Sequence, residues 1–355
     1  MNTFKTYRPA PYFEDSNPDH ILIRKYLHIH GWTPVMFKFW RISDLIKNRK
    51  KCRIIHMHFP EAFWRSKSVF WSYIKAVWFI YIFTVSRLLK YRWVFSAHNV
   101  LPHYLVNSMM LERVMRYFVL KNFDAVIGLA YNTKNDLELA YGTSGKSFTL
   151  ALHGTYEDAY PDGETRETLR KMHSIPLDKI VILIMNTGER QNKGVEEVIE
   201  AWQMMIEPAD VHLLLVGNEP ESAKNNPKLR NYHFIEGRVP NSKMKELYSM
   251  VDFTILNYKN ITTSGMYFLT VTFKVPVIVP NLPFFKLHAT ESTAIFYDYN
   301  EGLIDQFTNI IDVIKSGWAP NISAFNDYCK IHNTEKSAQK ISKVYEKLLA
   351  QGDNS

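Results

Sequence analysis

The sequence predicts an α/β protein made of two consecutive doubly wound domains, and three observations carry that reading. Short apolar runs alternate along the chain with longer stretches of helical spacing, the pattern of parallel sheets covered by helices. One polar stretch, YPDGETRETLRKMHSIPLDK (160–179), interrupts the alternation and reads as a linker. The length of 355 residues suits two cores at roughly 150 residues each.

In the first half, CRIIHMHF (52–59), RWVFSAHN (92–99), DAVIGLA (124–130) and FTLALHG (148–154) read as four buried strands. Crossovers of 20 or more residues lie between most of them, long enough for helices. In the second half, KIVILIMNTG (179–188), DVHLLLVG (210–217), YHFIEG (232–237), DFTILN (252–257), VPVIVP (275–280) and TAIFYDY (293–299) read as strands. KGVEEVIEAWQMM, NSKMKELYSM and TSGMYFLTVTF fit between them as helices, and TEKSAQKISKVYEKLLAQ is an amphipathic C-terminal helix.

Composition narrows the classes. With 46% hydrophobic residues, 14 Gly and 16 Pro, the chain is neither disordered nor collagen-like. Two cysteines, Cys52 and Cys329, exclude a disulfide-stapled scaffold and a four-thiolate metal cluster. MNTFKTYRPAPYF lacks the long apolar core of a signal peptide, so a cytosolic compartment is expected. The net charge of +8 is unevenly spread. Residues 1–150 hold 22 Lys and Arg against 9 Asp and Glu, a balance of +13, while 151–355 hold 21 against 26, a balance of −5. An anionic partner is therefore expected at the first half.

Ligands of doubly wound sheets bind beyond the carboxyl ends of the strands, so strand ends nominate the site. HMHFPE (56–61) offers His56, His58 and Glu61, and a His-x-His pair with no third ligand at usual spacing is a weak metal signal. Glu61 is the candidate proton acceptor. SAHNVLPH adds His98, Asn99 and His103, and LHGTY adds His153, Gly154 and Tyr156, where Gly154 would let a ligand approach the backbone. NTGERQNKG carries Arg190 and Lys193, a fork donor and a point charge suited to a diphosphate. LNYKNITTSGMYF places Thr262, Thr263, Ser264 and Gly265 where a helix begins, a ready phosphate site. GTSGKS (142–147) imitates a P-loop, but Ala140 stands where that motif needs glycine. No Asp-x-Asp occurs.

Taken in order, HMHFPE, AHNVLPH, LHGTYEDAYP, ERQNKGVEEVIEA, LLLVGN, LNYKNITTSG and KVPVIVP resemble the runs of bacterial GT-B glycosyltransferases. The nearest likeness is to the xanthan-type terminal β-mannosyltransferase family, over about residues 52–280. Phe59, Tyr104, Thr155 and Thr187 depart from that family's Trp, Glu, His and Gly. The resemblance implies two Rossmann-like domains facing a cleft. An acceptor-binding, membrane-associated domain would span 1–160 and a nucleotide-sugar domain 175–320. Helices in 321–355 would pack back toward the first. It implies transfer of mannose from GDP-mannose to a polyprenyl-diphosphate-linked oligosaccharide, at the cytoplasmic face of the inner membrane. Glu61 is implied as base, with His98 second. Arg190, Lys193, Gly217, Asn218, Tyr258, Thr263, Ser264 and Gly265 would bind the donor. His58, Asn99, His103, His153, Gly154 and Tyr156 would line the acceptor side.

Ile261 and Leu269 occupy the two positions where retaining relatives carry glutamates, so that donor clamp is absent; inversion is what the xanthan-type resemblance implies, and no metal or other cofactor is expected. A UDP-sugar-dependent transferase, a sugar-nucleotide 2-epimerase and a non-catalytic GT-B subunit remain alternatives. Finally, VFWSYIKAVWFIYIFTVSRLL (69–89) is long enough to span a bilayer, but Lys75 and Arg87 lie within it and it joins two strands of one sheet. Its aromatic residues and basic flanks predict shallow attachment to anionic lipid instead.

Overall fold

The computed structural model describes residues 5–11, 18–100, 108–157, 159–186, 193–205 and 210–351. The chain divides into two compact units, one formed by the residues up to Gly154 and from His332 onward, the other by Thr155–Ile331.

In the first unit the elements run β1 (Lys5–Ala10), α1 (Pro18–Ile29), β2 (Trp32–Pro34), α2 (Ile42–Asn48), β3 (Ile54–Met57), α3 (Val69–Leu88), β4 (Arg92–Ala97), α4 (Met109–Asn122), β5 (Ala125–Gly128), α5 (Thr133–Tyr141) and β6 (Phe148–Leu150). The sheet is parallel throughout, in the order β2-β1-β3-β4-β5-β6. Four strands were expected here and six are present. KTYRPA hides as a strand because it contains Arg8 and Pro9. Arg8 is nonetheless buried, its guanidinium donating to the carbonyls of Phe37 and Pro9. β2 is too short to show a period.

Alternation along the strands splits the core into two layers. Ile55, Met57, Trp93, Phe95 and Val126 pack under α3 and α4. Tyr7, Ile54, Val94, Ala125 and Ile127 pack on the other face, against the last helix of the chain, α13 (Thr334–Ala350). Tyr345 anchors α13 there, with ring centroids 4.8 Å from Trp32 and 5.4 Å from Tyr7.

The second unit contains α6 (Arg166–Met172), β7 (Ile180–Asn186), α7 (Val195–Gln203), β8 (Val211–Gly217), β9 (Tyr232–Glu236), α8 (Met244–Ser249), β10 (Phe253–Ile255), α9 (Gly265–Thr272), β11 (Val277–Pro280), α10 (Pro283–His288), β12 (Ala294–Tyr297), α11 (Leu303–Lys315) and α12 (Ile322–Ile331). Its parallel sheet, β12-β11-β10-β7-β8-β9, has the strand order of the dinucleotide-binding fold. Of the helices after residue 321, α12 belongs to this unit and α13 to the first.

The stretch read as a linker is a docked element. Arg170 on α6 is fully buried and donates to the carbonyls of Met250, Pro176, Leu177 and Lys179 and to Asp252 Oδ2 at 2.7 Å. Asp252 in turn accepts from Arg166 at 2.6 Å and from the Val181 N–H at 2.8 Å. Polar residues look like a loop in sequence, yet one guanidinium here satisfies four carbonyls that no strand pairs. Breaking a buried pair of this kind costs about 3–5 kcal/mol. Arg170→Met should therefore lower the unfolding free energy, read from denaturant titration, by an equivalent amount, and a loss under about 1 kcal/mol, roughly the value of one hydrogen bond, would show the network to be dispensable.

Candidate functional site

Each sheet reverses its winding direction once, between β1 and β3 in the first unit and between β7 and β10 in the second. Neighbouring crossovers diverge at such a point and leave an opening at the carboxyl ends of the strands. Both openings are pockets in this structure. One is lined by Pro9, His20, Arg24, His56 and His58 among others, the other by Met185, Lys193, Asn257, Tyr258 and Met266.

The first opening holds a histidine cluster. His56 and His58 alternate onto the α1 and α13 face of β3, and their rings stack at 4.5 Å. His56 is fully buried between Ser96 Oγ, at 2.7 Å, and the Tyr345 hydroxyl. His58 Nδ1 lies 3.1 Å from His98 Nε2, so one ring donates and the other accepts. His20 on α1 meets His58 edge to face at 4.6 Å, and His98 stacks on Phe59 at 4.5 Å. Burial, reinforced by neighbouring histidines, pushes all four imidazoles down: His56 to about 3, His20 below its ordinary value, and His58 and His98 well below theirs. These rings are neutral at pH 7. Among the described residues no three His, Cys, Asp or Glu form a group able to hold a metal ion.

Glu61 sits on a 3₁₀ turn, Pro60–Phe63, just past β3. It is buried and its Oε2 accepts from Arg116 at 3.1 Å, while the Arg116 guanidinium lies 4.8 Å over the Phe95 ring. The sequence reading missed Arg116. The signal was present, since Glu112 and Arg116 interrupt the inward stripe of Leu111, Met115 and Val119 on α4. Glu112 is matched by Arg65 at 2.8 Å. Charged residues at core positions of a helix had to find partners.

Other candidates fall elsewhere. His153 is buried with Nε2 3.6 Å from Asp19 on α1, which ties the end of the sheet to that helix. Gly154 does allow close approach, but to its own chain: a Cβ there would lie 2.5 Å from the Cα of Thr334 at the start of α13. The expected ligand contact at Gly154 is thus replaced by a packing contact. Tyr156 belongs to the second unit, buried, its N–H donated to Thr272 Oγ1 at 2.9 Å. Asn99 is half-buried beyond β4. His103 lies outside the described residues.

At the second opening, Lys193 is buried, its ammonium 3.2 Å from the Met185 carbonyl at the end of β7. Arg190 lies outside the described residues. Gly194 follows with φ +57°, and a Cβ there would run into the Asn257 backbone carbonyl at 2.5 Å. Asn257, also missed in the sequence, donates to the Gly194 carbonyl at 2.8 Å and to Glu197 at 3.0 Å, and accepts from the Tyr297 hydroxyl. Burial would raise the Glu197 carboxyl, but hydrogen bonds from Lys259 and Asn257 bring it below its ordinary value. Ser264 caps α9, its Oγ accepting from the Tyr267 N–H at 3.1 Å and lying 3.3 Å from the buried Tyr258 hydroxyl. Gly265 opens the helix beside it, and the Thr263 hydroxyl is buried without a hydrogen-bond partner among the described residues. Gly217 ends β8 at φ +123°, paired in register with Asn186, and Asn218 is exposed beyond it.

Two six-stranded parallel sheets wound in these orders define the GT-B fold. Solved structures share it over nearly the whole chain. HepE of Anabaena (Alr3699), in complex with UDP and glucose, is 11% identical with a TM-score of 0.72, covering 97% of this chain and 100% of that one. The sucrose-phosphate synthase of Thermosynechococcus elongatus is 13% identical at 0.66, covering 98% and 100%. WaaG, a glycosyltransferase involved in lipopolysaccharide biosynthesis, is 14% identical at 0.64, covering 96% and 99%. No family model and no curated protein matches the chain.

The buried histidines set an acid limit. Below about pH 6.5 the unfolded chain takes up protons that the folded cluster refuses, so stability must fall with pH through that range. His56, held at about 3, accounts alone for about 1.4 kcal/mol per pH unit below 6.5. Most carboxylates titrate only below about 4.5, so the window from 6.5 to 5 isolates the histidines. Denaturant midpoints should drop across that window, and less steeply for His56→Gln. A flat profile between pH 6.5 and 5 would contradict the buried, neutral assignment.

Proposed function

We propose that the protein is a glycosyltransferase that moves a hexose from a nucleoside diphosphate sugar to a hydroxyl of a lipid-linked oligosaccharide, with inversion and without a metal. The observation that carries this reading is the second opening: a buried lysine beside a capped helix start at the switch point of a Rossmann-like sheet. HepE, similar over its whole length, is known in complex with UDP-glucose. Lys193 would neutralise the leaving diphosphate, aided by Arg190 and the N–H groups opening α9. The unpartnered Thr263 hydroxyl adds a donor for a phosphate oxygen. Resemblance favours GDP-mannose as donor, while the HepE complex favours a UDP-sugar as the second reading.

The acceptor oxygen must lose a proton as it attacks the anomeric carbon and the bond to the diphosphate breaks. Glu61 was the first choice for that proton. Its Oε2 is already taken by Arg116, which leaves that oxygen turned to the guanidinium and not to an acceptor. His98, neutral, half-buried at the end of β4 and without a salt-bridge partner among the described residues, is the better placed acceptor, with His58 fixing its ring. Activity would be exercised at the cytoplasmic face of the inner membrane, where lipid-linked acceptors present their sugars.

Titration calorimetry with UDP and GDP tests the donor site. One of the two should bind, and Lys193→Ala should weaken it roughly ten- to a hundredfold, the value of a charge-assisted contact of about 1.5–3 kcal/mol. Binding of neither nucleotide to folded protein would remove the proposal. For the base, His98→Gln should lower turnover by about 10² to 10⁴ with nucleotide affinity unchanged. Glu61→Gln should act less on turnover and more on stability, and the reverse pattern would return the role to Glu61.

A further inference from the structure

Helix α3 is apolar on both sides, and only one side is covered. Ser72, Ala76, Phe79, Phe83 and Ser86 form a stripe at helical spacing buried against the sheet. The opposite stripe consists of Phe70, Trp71, Ile74, Val77, Trp78 and Tyr81, exposed by 67, 55, 41, 67, 50 and 47%. A helix that is hydrophobic all round requires an apolar medium all round. With aromatic side chains offering about 150–250 Å² each, this stripe presents about 600 Å², the upper end of what a monomer exposes. The adjoining helix extends it, because α4 shows Met110, Val114 and Tyr117 outward and is tied to α3 by the Phe83–Phe118 contact at 5.2 Å.

The exposed charges on α3, α4 and their flanks are all positive. Between Glu61 and Glu112 the sequence holds six Lys and Arg and no Asp or Glu; Arg65 is taken by the buried Glu112 and Arg87 and Arg92 by Asp124, which leaves Lys67, Lys75 and Lys90 as the outward charges. Lys67, Lys75 and Lys90 are exposed on the flanks of α3, and Arg113 and Lys121 on α4. Lys121 lies 5.5 Å over the Tyr117 ring. Aromatic rings rimmed by cations match the boundary between acyl chains and anionic headgroups. A second copy of the same positive surface would be repelled. Spanning is excluded by topology, since α3 is the crossover between the paired strands β3 and β4 and its inner stripe is part of the core.

We propose that the outward faces of α3 and α4 together form a docking platform for an anionic lipid bilayer, with α3 lying in the plane of the interface. The helix starts at the carboxyl end of β3, the edge that carries Glu61 and His58, so docking would bring a lipid-linked substrate to that edge. This deepens the proposed transfer to a lipid-linked acceptor, but the binding itself requires neither donor nor acceptor.

The test is co-sedimentation with vesicles of phosphatidylglycerol and phosphatidylcholine, and with phosphatidylcholine alone, at low and high salt. The protein should pellet with the anionic vesicles, be released at least in part by salt, and show tryptophan quenching by brominated acyl chains. Trp71→Ser/Trp78→Ser should bind at least tenfold more weakly, and so should Val114→Glu on α4, which separates the platform from α3 alone. Circular dichroism melts and nucleotide calorimetry on the same variants show that fold and donor site are intact. Three results would overturn the proposal: wild type remaining in the supernatant with anionic vesicles at low salt, variants pelleting as wild type does, or a solution dimer that the tryptophan variant converts to monomer.

Discussion

Parallel pairing of every strand is the constraint on which the rest of this structure depends. A parallel strand cannot return through a hairpin, so each must be followed by a crossover that covers one face of the sheet. Both faces are then buried and the strands become continuous apolar runs, as in VILIM or LLLV. All carboxyl ends come to one edge, and polar groups can collect there without disturbing the core. Because winding reverses once in each sheet, each edge has one gap between diverging crossovers. The histidines gather at one gap and Lys193 at the other.

The same constraint explains what could be read from the sequence. The four strands expected in the first half and the six in the second are present, because buried parallel strands announce themselves by hydrophobicity alone. β1 and β2 were illegible, since β2 is three residues long and Arg8 is a core residue by virtue of the Phe37 carbonyl brought to it from 29 positions away, together with that of its neighbour Pro9. The docked α6 was read as a linker for the same reason: Arg170 is buried by partners up to 82 positions away. His58, His98 and Lys193 could be placed near the strand ends from the sequence because strand ends are local features. Arg116 and Asn257 could not, since their value lies in what they touch. Gly154 was expected to admit a ligand, and what approaches it is the backbone of Thr334.

At 11 to 14% identity the chain shares its architecture with HepE and WaaG and little else. That combination is expected when a fold rests on patterning. Any apolar residue of suitable volume serves in a strand buried on both faces, so sequences drift while the winding order persists. Turn geometry at the two gaps is less tolerant. Gly194 illustrates the difference: its left-handed backbone and the 2.5 Å that a Cβ would leave to Asn257 fix the turn that carries Lys193. Asn257 then ties β10, α7 and β12 into one support beneath the ammonium.

The pairing of Glu61 with Arg116 has a consequence for the histidines beside it. A lone guanidinium near His98 would drive its proton affinity down further than burial already does, leaving a ring too weak to accept a proton. A lone carboxylate would do the opposite, holding His98 protonated and unable to act as base. Placed 3.1 Å apart, the two charges form a compact dipole whose field falls off quickly. Burial, the neighbouring histidines and, at His98, the remaining field of Arg116 together keep the imidazoles neutral. The carboxylate of Glu61 therefore does not protonate the cluster, and His98 keeps a neutral ring held by the neutral ring of His58.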